Sequence, residues 1–148
     1  MESVSCLMNI EPLVGLNIIK FGASKEEALE LFGQPEVIEN ADGEDGIRSE
    51  NWAYKKLGLE LNFDPDFNFI LERIYVYSSE VSLNGFNPIG LSEKQLLENY
   101  PALELEVKDG RFTDYVDNSN ELLFFLRDNV VKRVDVLPNL QEYLQRFG

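Results

Sequence analysis

Apolar and polar residues alternate strictly along Leu59-Glu60-Leu61-Asn62-Phe63, which predicts a β-strand with one dry face and one wet face. Comparable runs, separated by turn residues, place further strands at 36–39, 51–55, 69–77, 103–107, 111–116, 121–127 and 130–137. The punctuation between them is Gly58, Asp64-Pro65-Asp66-Phe67-Asn68, Asp109-Gly110, residues 117–120 and Asp128-Asn129. Residues 40–50, holding Asp42, Glu44 and Asp45, read as a mobile acidic loop. A different period appears at Ala28, Leu29 and Phe32 and again at Leu96, Leu97 and Tyr100, where apolar residues recur at helical spacing. Leu140, Tyr143, Leu144 and Phe147 repeat it at the C-terminal end and predict a closing helix.

The first two helical stretches are versions of one segment. Gly22-Ala23-Ser24-Lys25-Glu26-Glu27-Ala28-Leu29 is echoed by Gly90-Leu91-Ser92-Glu93-Lys94-Gln95-Leu96-Leu97. Each has Ser followed three residues later by Glu27 or Gln95, the pattern of a capping box. Gly33 and Pro35 close the first, and Pro101 stops the second. The final strands also match, Glu72-Arg73-Ile74-Tyr75-Val76 against Lys132-Arg133-Val134-Asp135-Val136. The expectation is an α+β fold of two tandem repeats, each a helix plus a four-stranded antiparallel meander, with the helices on one face of the sheet. Residues 1–12 are read as a loose leader, 13–79 as the first repeat and 80–148 as the second, together one compact domain.

The repeated Gly-x-Ser helix starts, Gly33-Gln34-Pro35, Trp52-x-Tyr54, Gly58-Leu59-x-Leu61-x-Phe63 and Arg73-Ile74-x-Val76 carry a resemblance. In this pattern of elements the chain resembles the β-lactamase-inhibitor-protein-like group and, less closely, the small outer-membrane assembly lipoproteins. The resemblance implies a protein-binding scaffold that uses an open sheet face or the loops at its end.

Composition narrows the function classes. The 148 residues include 13 Lys+Arg against 27 Asp+Glu, giving net charge −14 and a pI near 4.3. Such a charge repels nucleic-acid phosphates and anionic membranes and favours a basic protein partner. The single cysteine, Cys6, leaves no intrachain disulfide and suits a reducing compartment; no run approaches the length of a membrane span, so a cytoplasmic location is expected.

The chain has no histidine, which removes Ser-His and Cys-His nucleophilic catalysis and the usual zinc and iron ligand sets. Ser24 and Ser92 read as helix caps, not nucleophiles. Asp64-x-Asp66-x-Asn68 opens like a calcium loop, but Phe69 and Tyr75 stand where Gly and Glu are needed, so the segment reads as a turn. No cofactor, no metal and no catalysis are expected. The wet parity of the last strands, by contrast, offers Arg73, Tyr75, Tyr77 and Asp135, with Phe125 and Arg127 from a neighbouring strand. Tyr and Arg are favoured anchors of protein interfaces. The reading is an acidic protein-binding module, such as an inhibitor or immunity protein neutralising a basic toxin domain. The alternatives are a structural, assembly or homodimeric module and, third, a carboxylate-based hydrolase.

Overall fold

A computed structural model describes residues 8–42, 48–65 and 68–147. Among them are ten strands and three helices of seven or eight residues. The strands are β1 (Ile10–Glu11), β2 (Gly15–Leu16), β3 (Val37–Asp42), β4 (Arg48–Tyr54), β5 (Leu59–Asp64), β6 (Ile70–Val76), β7 (Glu104–Asp109), β8 (Phe112–Asp117), β9 (Leu122–Arg127) and β10 (Val130–Val136). The helices are α1 (Lys25–Phe32), α2 (Glu93–Asn99) and α3 (Leu140–Phe147).

The α+β expectation of two tandem helix-plus-meander repeats does not hold. Eight strands form one antiparallel sheet in the order β3-β4-β5-β6-β10-β9-β8-β7, and β1 and β2 form a separate small sheet. The joint is β6 against β10, with Tyr75 opposite Asp135 and Ile74 opposite Val136. Ile74, Val76, Val134 and Val136 on that joint are all fully buried, so the apolar surface runs unbroken from one side to the other. The helices add little to this core: Ala28, Leu96 and Tyr143 are the side chains they bury. The protein is therefore organised by a single large sheet, with short helices as cover.

The cap signals nevertheless act as local chemistry requires. Ser24 Oγ accepts from Glu27 N at 3.1 Å. At Ser92 both halves of the box are present, Gln95 N to Ser92 Oγ at 3.2 Å and Ser92 N to Gln95 Oε1 at 2.9 Å. Gly33, at φ 77°, ends α1 with its N–H on the Leu29 carbonyl.

Two other expectations change. The described part of the supposed leader is structured: Met8 and Ile10 are buried and β1 pairs with β2. These residues, with Leu16, Ile19, Phe21, Val81 and Leu83, join the core cluster. In the supposed loop at 40–50 the described residues are strand, since β3 runs to Asp42 and pairs in register with β4 from Arg48. Glu44 and Asp45 lie outside the described residues, as do Cys6 and Asp66.

Candidate functional site

The sheet face opposite the core carries the polar members of each strand, and pairing brings them into rows. Glu39, Asn51, Asn62 and Arg73 stand opposite one another across β3 to β6. The next row is Ala53, Glu60, Tyr75, Asp135 and Leu123. A third, Arg133, Phe125, Asp114 and Val107, crosses β10 to β7. Three bulges set this parity, one of them in β7 between Leu105 and Val107. Asn62 pairs with Arg73 while Phe63 pairs with Leu71, leaving Glu72 as the extra residue of β6. Lys132 is the corresponding extra residue of β10, between Val131 and Arg133. A bulge re-aims the side chains on either side of it, so Leu71 and Ile74 both enter the core while Arg73 points the other way.

At the centre of this face lies a shallow groove of about 460 Å³, with Glu39, Asn51, Glu60, Asn62, Arg73 and Tyr75 among its walls; Asn40, Tyr77, Arg133 and Asp135 complete it. A chain of hydrogen bonds runs along it. Asn51 Nδ2 donates to Glu60 Oε1 at 2.6 Å. The Tyr77 hydroxyl bonds with both Glu60 and Arg133. Arg133 in turn donates from Nε to Asp135 Oδ1 at 2.6 Å and from Nη2 to Oδ2 at 3.3 Å. The network thus crosses the β6–β10 joint directly behind the apolar residues that seal it.

Burial shapes the charges here. Desolvation pushes the Asp135 carboxyl up despite the Arg133 and Arg73 guanidiniums beside it. Burial opposes the charge on Arg133, but Asp135 outweighs it and holds the guanidinium above its usual value. Tyr77 is raised, first by burial and then by the neighbouring Glu60 charge. Arg133 also lies over two rings, 5.0 Å from the Phe125 centroid and 5.6 Å from that of Tyr75. Phe125 stacks on Phe112, centroids 5.7 Å apart, and Phe112 remains 46% exposed.

Arg73, Tyr75, Tyr77 and Asp135 therefore share one groove, and Phe125 adjoins it through Arg133. Arg127 does not join them: it lies exposed at the end of β9, opposite Val130 and Phe112. Asp42 ends β3, the edge strand of the sheet. Sequence reasoning missed Glu39, Asn51, Glu60 and Asn62, although the wet positions of the Leu59–Phe63 alternation already marked Glu60 and Asn62. Asp64, read as part of a turn, is buried and takes a 3.4 Å hydrogen bond from the Tyr143 hydroxyl of α3. Among the described residues no group of three or more acids, histidines or cysteines is placed to hold a metal ion, and no helix is long and apolar enough to cross a membrane.

No protein-family model and no curated protein matches the chain. Among solved structures, an extracellular protein containing a SCP domain from Bacillus anthracis str. Ames is similar at 16% identity with a TM-score of 0.49. The match covers 85% of this chain and 46% of that one, so this chain spans less than half the length of that protein.

Proposed function

We propose that this protein is a non-catalytic, acidic binding module that captures a basic protein partner on the open face of its sheet. The observation that supports this reading is the groove itself: two arginines and two tyrosines gathered on strands or just beyond one, beside a half-exposed aromatic stack, with no helix lining it among the described residues. Tyr and Arg anchors of this kind dominate interface energetics. The net charge of −14 would steer a basic partner toward the surface and raise the association rate. Neutralising a partner, as an inhibitor or an immunity protein against a toxin domain does, is the use that fits an acidic binder without catalytic groups. We assign it to the cytoplasm, where a lone cysteine stays reduced.

The test is capture from lysate of the source cells, at low and high salt, by the natural protein and by the Arg73→Ala/Tyr75→Ala double variant. The expected result is a basic protein held at low salt, released as salt rises, and lost by the variant with a penalty of ~1–3 kcal/mol at each anchor. Capture that the variant retains in full would remove this face from consideration.

A second reading has its own observation. Val107 on the edge strand β7 and Phe112 on the neighbouring β8 are each nearly half exposed on the same face. A homodimer or assembly scaffold would cover them, and sedimentation would find a dimer insensitive to salt.

A further inference from the structure

Two buried polar atoms of the groove have no hydrogen-bond partner among the described residues, Asn51 Oδ1 and Arg73 Nε, although the Arg73 guanidinium also bonds with the Tyr75 side chain. They belong to one cross-strand row, with Asn62 between them. Leaving such groups unpaired costs free energy, and each is the complement of what a ligand must bring: a donor for the first, an acceptor for the second. The amide of Asn51 is fixed in orientation, because its Nδ2 is committed to Glu60 Oε1 at 2.6 Å. Its oxygen is therefore held as an acceptor, flanked by the Glu60 carboxylate and, across β3, by the exposed carboxylate of Glu39. This end of the groove is acceptor-rich and negative. The positive charge of Arg133 is already taken up by Asp135.

We infer that this acceptor end is the seat of an arginine side chain of the basic partner, while Arg73 Nε receives the backbone carbonyl of that same arginine residue. The inference rests on the open-face reading above and specifies what the face recognises. Asn51 and Arg73 stand two strands apart, about 10 Å, a reach that an extended arginine covers from its carbonyl oxygen to its guanidinium. A guanidinium is planar and presents several donors, so it can meet Asn51 Oδ1 and the Glu60 and Glu39 carboxylates together. A lysine ammonium has a single compact head and no planar fork. The Tyr77 ring, 40% exposed at the groove wall, offers the guanidinium a face to stack on.

The experiment is an amide-detected NMR titration of the whole protein with N-acetyl-arginine amide, run beside N-acetyl-lysine amide. Saturable shifts confined to Glu39, Asn51, Glu60, Asn62, Arg73 and Tyr77 are expected, with arginine favoured several-fold over lysine. Glu60→Gln should weaken arginine binding about tenfold, the value of one charge-assisted bond. Glu39→Gln, at an exposed site that carries no risk to folding, should weaken it less. Equal response to lysine, shifts scattered over the acidic surface, or no saturation would each overturn the inference. The lysate capture separates this failure from failure of the open-face reading. If Glu60→Gln and Glu39→Gln hold the partner as the natural protein does while Arg73→Ala/Tyr75→Ala releases it, the face stands and the arginine seat falls. Arginine amide bound in the groove, with capture indifferent to Arg73→Ala/Tyr75→Ala, would leave the seat and remove the face as the partner's dock.

Discussion

The Glu50 carboxylate accepts from Lys25 Nζ at 2.5 Å and from Trp52 Nε1 at 3.1 Å, tying the first turn of α1 to β4. Burial works against its charge, but the hydrogen bonds from Lys25 and Trp52 outweigh it and hold the carboxyl below the usual 4.5. A carboxyl depressed on folding stabilises the native state above its unfolded value and loses that contribution as pH falls through the folded one. Glu50→Gln should therefore cost ~0.5–1 kcal/mol at pH 7. Urea unfolding of both proteins at pH 7 and near pH 3 should find the difference gone at the acid end. Gly22 makes a second residue-scale case. Its φ is 94°, and a Cβ there would sit 2.1 Å from the Phe147 ring. Gly22→Ala should cost ~1–3 kcal/mol through backbone strain alone and also loosen α3, visible as faster amide exchange in residues 140–147. Ser24 and Ser92 were legible as caps because a cap needs only its next three residues. The demand on Gly22 was not, because the ring that excludes a side chain comes from the far end of the chain.

At the scale of elements, the helices show how far local signals reach. α2 holds a complete capping box, so Ser92→Ala should lower stability by ~1 kcal/mol, read as a fall in thermal midpoint with the open-face groove unchanged. A helix of seven residues is not stable by itself, and the cap matters because packing of Leu96 holds the rest. The strand β5, with one apolar face, was found by its alternation, and β9 by an apolar run between two turns. The end of β3 from Asn40 and the start of β4 up to Glu50 were mistaken for part of an acidic loop, since Asn40 and Ser49 are polar and the edge is open. Polarity on an edge strand looks like a loop when the pairing partner is unknown. The bulges at Glu72 and Lys132 were equally hidden: one extra residue leaves composition untouched and shows only as a register shift between paired strands.

For the whole molecule, the β6–β10 joint decides whether the chain behaves as one body. Ile74 is fully buried there, and Ile74→Ala should cost ~2–5 kcal/mol. Because the apolar surface is continuous, Trp52 fluorescence and far-UV circular dichroism should still report one coincident transition in that variant; separate transitions would mean that the two sides unfold independently. Arg73, Tyr75, Tyr77 and Asp135 could be assigned to one wet parity from residues alone. Their meeting with Asn51, Glu60 and Asn62 could not, because it needs the pairing of four strands. Periodicity, caps and turn residues by themselves determined where most strands and all three helices form, since each acts over a few neighbours along the chain. Only the tertiary structure decided that these strands close into a single eight-stranded sheet and which polar side chains share its groove. Strand partnership is a contact between residues distant in sequence, and the alternation of a strand states which face is wet without stating what lies beside it.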